Sequence, residues 1–279
     1  MLLGMHVSIS GKIYESVDRA RERGCRTMQI FSRNPRAWKA KDLSPMEVEE
    51  LKKRRCQVGI NPLVVHVPYL INLVTPDEEL YLRSLEAYIS DVKRAETLGA
   101  EYFVTHMGNH KGKGEEWGLI RLARALETII AAARPGLMIL LENTAGSGSS
   151  LGSRMEHFKK VIEATEGSEC LGFCLDTCHA FAAGYDVSTE RGLARTLQEV
   201  EELIGRERVK LVHINDSKGE LNSRVDRHEN IGQGKIGLEG MRVIVNHSLL
   251  KNLPFILETP MKNGDDDLRN MATLRSLRE

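Results

Sequence analysis

Histidine, aspartate and glutamate side chains directly follow short apolar runs at several places in this sequence. Leu63-Val-Val-His66 ends on an imidazole, and Phe255-Ile-Leu-Glu258 ends on a carboxylate. A single histidine in such a place is usually a core residue whose hydrogen bonds are satisfied. The pattern recurs at His66, His106, Glu142, Asp176, His213 and Glu258. Six recurrences are too many for coincidence, and they indicate side chains gathered to hold metal ions.

Three further candidate ligands, His179, Asp226 and His228, lie just beyond such runs. Imidazoles and carboxylates are usual zinc ligands, and Mn²⁺ or Fe²⁺ would accept the same donors. Nine ligands exceed what one tetrahedral ion uses, so the sequence predicts a cluster of two or three ions. Such a cluster suits phosphoester hydrolysis, because the ions generate hydroxide, neutralise the phosphate and hold the leaving oxygen.

The apolar runs have the length of β-strands and alternate with amphipathic helical patterns. The predicted strands are 2–8, 27–32, 63–67, 102–107, 137–143, 171–177, 209–215 and 254–259. Helices are predicted at 46–58 and 77–98, with Ser44 and Asp77 as N-caps and Gly59 and Gly99 at the C-termini.

Eight strands, each followed by a helix, predict an α/β fold: one (β/α)8 TIM barrel that forms a single domain over residues 1–279. A doubly wound open sheet is the alternative. In a barrel, the C-terminal ends of the strands meet at one face, which is where barrel enzymes keep their active sites. The candidate ligands are therefore expected at that face.

Composition narrows the class of protein further. The 279 residues carry 39 basic and 39 acidic side chains, and the resulting net charge of zero argues against a polycationic nucleic-acid binder. No apolar run is long enough to span a bilayer, and the N-terminus lacks the features of a secretory signal. Five cysteines are too few for a disulfide scaffold and fit a reducing cytosol. We therefore expect a soluble cytoplasmic protein, and we expect it to be a monomer.

Cys170, Cys174 and Cys178 recur at every fourth residue, a spacing that suggests an iron–sulfur site. The flanking sequence predicts a buried strand, in which this spacing cannot gather the thiols around one cluster. We therefore interpret them as structural. Of the remaining histidines, His6 is expected to line the barrel, and His110, His157 and His247 are expected at the surface.

Basic residues cluster in three loops that follow predicted strands and would open on the same face as the ligands. Arg33 and Arg36 belong to the first of these loops, and all are candidate phosphate contacts. The run Lys52-Lys-Arg-Arg55 lies on a predicted helix instead, and we interpret it as a solvated outer face.

The segments around the candidate ligands resemble those of endonuclease IV, a zinc-dependent apurinic/apyrimidinic endonuclease family of base-excision repair. They are His66-Val-Pro-Tyr-Leu-Ile-Asn-Leu73, Glu142-Asn-Thr-Ala-Gly-Ser-Gly148, Cys174-Leu-Asp-Thr-Cys-His179, Val212-His-Ile-Asn-Asp-Ser-Lys218, Asp226-Arg-His-Glu-Asn-Ile-Gly-Gln-Gly234 and Glu258-Thr-Pro260. With Gly4-Met-His-Val-Ser8 and Gln29-Ile-Phe31, they span almost the whole chain. One departure is Met107, where the family usually has proline.

The resemblance implies three zinc ions. His66 and His106 would hold the first, Glu142 would bridge it to the second, and Asp176, His213 and Glu258 would complete the second. His179, Asp226 and His228 would hold the third. A hydroxide oriented by Glu258 would attack the phosphorus 5′ to an abasic site, with Glu142 as the other catalytic carboxylate. The products would be a 3′-hydroxyl and a 5′-deoxyribose phosphate, as for a deoxyribonuclease IV.

The same resemblance implies double-stranded DNA with an abasic site as the partner. Arg36, Tyr69 and Leu70 match the family residues that insert into the duplex beside the flipped nucleotide. For Tyr69 and Leu70, the alternative is ordinary loop packing after Pro68.

Two other functions remain open at this point. A sugar isomerase or epimerase on a related barrel would also use strand-end Glu, Asp and His, although such enzymes usually need one or two ions. A module that binds damaged DNA without cutting it would not require the full set of ligands.

Overall fold

The computed structural model describes residues 1–261 and 264–279. In this part of the chain, eight parallel strands close into a barrel in the order β1-β10-β7-β6-β5-β4-β3-β2. The barrel strands are β1 (Leu2–His6), β2 (Thr27–Phe31), β3 (Leu63–His66), β4 (Tyr102–His106), β5 (Met138–Glu142), β6 (Leu171–Asp176), β7 (Val209–His213) and β10 (Pro254–Leu257). The predicted TIM barrel is confirmed. The strands end one or two residues earlier than expected, because the chain leaves the ladder to enter the loops above it.

All the helices except α6 (Thr177–Ala183), which lies above the rim, cover the outside of the barrel. They are α1 (Glu15–Glu22), α2 (Pro45–Val58), α3 (Glu78–Leu98), α4 (Glu115–Ala132), α5 (Met155–Ala164), α6 (Thr177–Ala183), α7 (Glu190–Leu203), α8 (Gly237–Asn246) and α9 (Asp266–Ser276). In the described residues, no helix is long and apolar enough to cross a membrane. Two short strands, β8 (Asp216–Ser217) and β9 (His228–Glu229), form a separate antiparallel pair above the barrel.

The predicted helix ends are mostly confirmed. Asp77 caps α3 by accepting a hydrogen bond from the Leu80 N–H at 2.9 Å, and Gly99 and Gly59 adopt left-handed conformations at the C-termini of α3 and α2. Ser44 is the N-cap of α2 as predicted, but its hydroxyl makes no capping hydrogen bond. Its backbone carbonyl instead accepts from the Val48 N–H, at 3.0 Å.

An apolar layer fills the inside of the barrel. We call this layer the apolar floor; it consists of Val64, Val104, Leu140, Cys174, Leu211 and Ile256. Each of these side chains stands two residues before a candidate ligand on the same strand or its continuation. Because side chains of a strand alternate between its two faces, the ligands point into the barrel directly above the floor.

The first two strands approach each other closely at Gly4. A Cβ atom at this position would lie 1.9 Å from the carbonyl oxygen of Thr27, so only glycine permits the approach. The register then pairs His6 with Gln29. Strands β1 and β2 therefore bring a histidine and a glutamine to the level of the candidate ligands.

Three side chains that we expected at the surface are buried. Arg33 binds Asp91 of α3 through its Nε and a terminal nitrogen, each at 2.8 Å from a carboxylate oxygen. Arg55 of α2 is paired with Glu101 at 2.9 Å. His157 accepts a hydrogen bond from the Gly152 N–H at 3.0 Å. Their burial could not be predicted from the sequence, because a charged or polar side chain is buried only where the fold brings a hydrogen-bond partner to it.

Candidate metal centre at the mouth of the barrel

Six of the nine predicted ligands lie at the C-terminal ends of the barrel strands. His66, His106, Glu142, Asp176 and His213 are the last residues of β3 to β7, and Glu258 directly follows β10. The other three come from elements above the rim: His179 from α6, His228 from β9, and Asp226 from the loop that leads into β9.

The nine side chains form three neighbouring groups whose ligand atoms lie within 4.8 Å of one another. The first group is His66, His106 and Glu142; the second is Glu142, Asp176, His213 and Glu258; the third is His179, Asp226 and His228. Glu142 belongs to two groups and divides its oxygens between them. Its Oε2 lies 3.2 Å from His66 Nε2, and its Oε1 lies 3.0 Å from His213 Nδ1.

Backbone carbonyls fix which ring nitrogen carries the proton in three of the histidines. The Nδ1 atoms of His66, His179 and His228 lie 2.7, 3.0 and 3.0 Å from the carbonyl oxygens of Val67, Asn143 and Glu258. A carbonyl only accepts hydrogen bonds, so each Nδ1 donates and each Nε2 presents a lone pair to the site.

Those lone pairs face carboxylate oxygens, which also only accept. His179 Nε2 lies 3.2 Å from Asp226 Oδ1, and the buried His228 Nε2 lies 3.7 Å from the same oxygen without a hydrogen-bond partner in the described residues. Contacts this short between two such groups need a proton or a metal cation between them. The donor set therefore fits divalent cations bound by imidazole and carboxylate.

The ionisation of the buried groups supports the same conclusion. Burial alone would raise the pKa of Glu142, yet the imidazoles of His106 and His213 hold its pKa well below the usual range. Burial would also lower the pKa of His179, but Asp176, Asp226 and Glu142 raise it well above the usual value, so without a cation a proton takes the place between His179 and Asp226. The carboxylates are thus kept ionised and need compensating positive charge.

Two asparagines position Asp176. Asn215 donates from Nδ2 to Asp176 Oδ2 at 2.7 Å, and its Oδ1 accepts from the Glu258 N–H at 2.8 Å. The Asn143 amide bonds to both the N–H and the C=O of Asp176, at 2.7 and 2.9 Å. Outer contacts of this kind orient metal ligands. The sequence prediction missed both residues, although each is the last residue of a predicted strand and lies within two residues of a ligand.

Gln29 was missed as well. It is completely buried on β2 and lies within 3.0 Å of His6, His213 and Glu258. The signal in the sequence was a polar residue in the middle of the otherwise apolar segment Met28-Gln-Ile-Phe31, at an inward position.

Cys178 also approaches the site but is a poor ligand. Its sulfur lies within 4.8 Å of ligand atoms of Asp176 and His228. Burial raises the pKa of the thiol to about 12, so it keeps its proton at neutral pH. In the described residues, Cys170, Cys174 and Cys178 do not form a group of their own, which agrees with the structural role we expected.

A cavity of about 330 Å³ opens above the three groups. His6, His66, His106, His179 and Glu258 are among the side chains that line it. A second groove, of about 440 Å³, continues from it past Asn72, Lys111 and Ser147. Six of the nine ligand side chains, all except Glu142, Asp176 and His213, therefore line an open, polar surface.

The three residues predicted to contact DNA lie at the edge of this opening. Tyr69 is 72% exposed, and its ring packs edge-on against Phe31 at 5.3 Å between ring centres. Tyr69 and Leu70 line the second groove, and Arg36 is exposed in the loop after β2.

Comparisons with known proteins identify the family of this chain. Residues 17–279 match a family model described as a Xylose isomerase-like TIM barrel. The curated "Probable endonuclease 4" of Halothermothrix orenii is 46% identical over 99% of both chains, and that of Methanoculleus marisnigri is 44% identical over 99% of both. The chain belongs to the endonuclease IV family.

A solved structure of the endonuclease IV family gives the same result in three dimensions. The crystal structure of endonuclease IV from Thermus thermophilus superposes with a TM-score of 0.87 at 38% identity, covering 99% of this chain and 98% of that one. The similarity therefore extends along nearly the whole chain.

Proposed function

We propose that this protein is a DNA-repair endonuclease that hydrolyses the phosphodiester 5′ to an abasic site in double-stranded DNA. The observation that carries this proposal is the set of three ligand groups, two of them joined by Glu142, that opens to a cavity edged by Tyr69. Its membership of the endonuclease IV family supports the same reaction, since its full-length relatives bear the name endonuclease 4.

We propose three zinc ions as cofactors, one at each group defined above. The ligands are nitrogen and oxygen atoms only, which zinc accepts and which Mn²⁺ or Fe²⁺ would also accept. When bound, the ions supply positive charge that stabilises the phosphate and lower the pKa of water so that it can attack near neutral pH.

The side chains of the second group orient the attacking water. Glu258 Oε2 faces His213 Nδ1 at 3.3 Å, while its Oε1 accepts from Gln29 at 2.6 Å. Held in this way, the carboxylate points to the cavity and serves as the acceptor for the proton of the water. Glu142 lies at the junction of two groups, so its two oxygens hold them at a fixed separation. The phosphate then meets a site that is already arranged for the transition state.

Residues at the edge of the cavity present the damaged nucleotide. An exposed tyrosine and a neighbouring leucine after β3, Tyr69 and Leu70, fit the role of a wedge between bases, and Arg36 fits a contact to the displaced strand. An abasic nucleotide is the easiest to turn out of the duplex, because it has no base to unstack. The cavity beside the wedge then receives the sugar and its 5′ phosphate.

A single protomer supplies all nine ligands. The proposed enzyme therefore acts as a monomer, and sedimentation of the zinc-loaded protein tests this. A dimer whose dissociation abolished activity would contradict it.

The deciding experiment uses a duplex that contains one tetrahydrofuran abasic analogue. We expect a metal-dependent cut of that strand on the 5′ side of the analogue, with a 3′-hydroxyl on the upstream fragment, and no cut of the undamaged duplex. Turnover of free ketoses by the same preparation, without incision, would reject the proposal in favour of a sugar isomerase or epimerase. Tight binding of the damaged duplex without incision would favour a binding module.

A further inference from the structure

Gln29 is hydrogen-bonded to three side chains at the level of the ligands, and solvent does not reach it. Its side chain is completely buried on β2, one of the two barrel strands that carry no proposed ligand. Its Oε1 lies 2.8 Å from His213 Nε2. Its Nε2 lies 2.6 Å from Glu258 Oε1 and 3.0 Å from His6 Nδ1.

The orientation of the Gln29 amide follows from its partners. Glu258 offers only acceptor oxygens, so the amide nitrogen must be the atom that faces it. The amide oxygen consequently faces His213, and as an acceptor it requires a proton on His213 Nε2. The second amide hydrogen points to His6, whose Nδ1 must therefore accept.

This arrangement fixes the tautomer of His213. With the proton on Nε2, the lone pair is on Nδ1, which lies 3.0 Å from Glu142 Oε1 and 3.3 Å from Glu258 Oε2. His213 differs in this from His66, His179 and His228, whose Nδ1 protons are held by backbone carbonyls. In the described residues, Gln29 is the hydrogen-bond partner of His213 Nε2 that takes the place of such a carbonyl.

We propose that Gln29 is a positioning residue of the second group: one amide sets the tautomer of His213 and holds the carboxylate of Glu258. The inference rests on the metal-binding part of the proposed function and not on its DNA substrate. Because one side chain bonds to two ligands of the same group, its loss frees both of them at once. Outer-contact residues of metal sites typically change metal affinity or activity by roughly 10–100-fold.

The test compares Gln29→Met with Thr27→Val in the zinc-loaded full-length protein. Methionine matches the length of glutamine and removes both hydrogen-bonding functions. Thr27 lies on the same strand, is equally buried and donates to the Pro62 carbonyl at 2.7 Å, away from the ligands. Thr27→Val therefore removes a buried hydrogen bond without disturbing the second group, and it controls for a general loss of stability.

Two readouts need no DNA. In competition with a zinc chelator, Gln29→Met should release one of its zinc ions at roughly 10–100-fold lower chelator concentration than wild type. In ¹⁵N-histidine NMR spectra, the wild-type His213 signal should show a hydrogen-bonded Nε2 proton far downfield, and this proton should move upfield in Gln29→Met, where it has lost its acceptor. Thr27→Val should match wild type in both. If Gln29→Met does not fold, Gln29→Glu keeps the shape, removes the donor to Glu258 and serves for the zinc measurement.

A third readout follows the reaction. Since Gln29 has no exposed surface, its replacement should lower kcat for the abasic duplex and leave KM nearly unchanged. Zinc retention and a His213 signal equal to wild type in Gln29→Met would overturn the inference. Weakened zinc retention in a protein whose wild type does not cut abasic DNA would uphold the inference and reject the proposed substrate.

Discussion

Glu258 joins the metal ligands to the proposed chemistry at the scale of single residues. Its backbone N–H is held by Asn215 at 2.8 Å, and its carboxylate is held by Gln29 at 2.6 Å. Burial alone would raise the pKa of Glu258, but His213 keeps it well below the usual range. Its position and its ionised state are therefore both set before substrate arrives.

Glu258→Gln keeps the shape of the side chain and removes its charge and its capacity to accept a proton. We expect incision of the abasic duplex to fall at least about 100-fold, the usual minimum for loss of a general base. Binding of that duplex should change little. Incision rates, duplex affinity and zinc content together check this, with the exposed Glu220→Gln as the control. Incision at the wild-type rate would place Glu258 outside the reacting centre.

Tyr69 offers a separate test of lesion recognition, because its ring is 72% exposed and contributes little to the core. Tyr69→Ala should leave the midpoint of thermal unfolding unchanged and weaken incision roughly tenfold, in line with a loss of about 1–3 kcal/mol of stacking. The measurement is kcat/KM on abasic duplex. Tyr69→Phe, which keeps the ring, should retain most of the activity. An unchanged rate in Tyr69→Ala would return this residue to ordinary loop packing.

At the scale of elements, the loop between β7 and α8 carries two ligands of the third group and is organised by one carboxylate. Asp216 is completely buried and accepts from the N–H groups of Gly232, Gly234 and Ile236, at 2.9, 3.0 and 3.0 Å. The β8–β9 register then sets His228 opposite Ser217. The third group thus depends on an anchor that is not a ligand.

Asp216→Asn should loosen this loop, since an amide nitrogen would replace one of the two accepting oxygens. We expect a loss of about 2 kcal/mol in the free energy of unfolding, as for hydrogen bonds to a charged group. The zinc content should fall by about one ion per chain. Urea unfolding and elemental analysis measure the two effects.

Glu220→Gln in the same loop breaks an exposed pair with Lys235 and should cost at most about 1 kcal/mol. Equal behaviour of the two variants would contradict the anchoring role.

Two arginines of the loop after β2 are expected to have different roles: one stabilises the fold, and the other contacts DNA. Arg33 pairs with Asp91 where both side chains are buried, whereas Arg36 is exposed. Arg33→Met should destabilise the fold by about 3–5 kcal/mol, because it leaves a buried carboxylate unpaired. Arg36→Met should leave stability within about 0.5 kcal/mol and weaken duplex binding. Chemical unfolding and binding titrations distinguish the two, and the reverse assignment would refute the distinction.

Some parts of this structure could be predicted from the sequence and others could not. Strands such as Leu63–His66 were predictable, because an apolar run of strand length with a polar end has few other interpretations. The positions of Glu142 and Asp176 followed, since parallel strands bring their ends to one face. Arg33 and Gln29 were not predictable in this way. Their roles depend on Asp91, 58 residues away, and on His213, 184 residues away.

At the scale of the whole molecule, the zero net charge of the chain does not describe the charge at the mouth of the barrel once metal ions are bound. The 39 basic and 39 acidic residues balance, and four of the carboxylates lie in the three ligand groups. Three bound dications would give the chain a net charge of about +6, concentrated at the mouth of the barrel. A neutral chain can therefore attract phosphate at the place where it acts.

Elemental analysis of the purified protein should give about three zinc ions per chain. Removal of the ions with a chelator should lower the midpoint of thermal unfolding, because ions that bind only the folded state stabilise it and because the buried carboxylates then lose their compensating charge. Restoring zinc should reverse the change. One ion per chain, or an unfolding midpoint that does not respond to the chelator, would contradict the three-ion site.

The apolar floor determines from which end of the barrel ions and DNA can reach the site. It blocks the axis of the barrel with Val64, Val104, Leu140 and their neighbours, so ions, water and DNA share the entrance above it. On the proposed function, a duplex bound across that entrance would cover the route by which the ions leave. The ions would then have to bind before the DNA, and a bound duplex would slow the release of zinc.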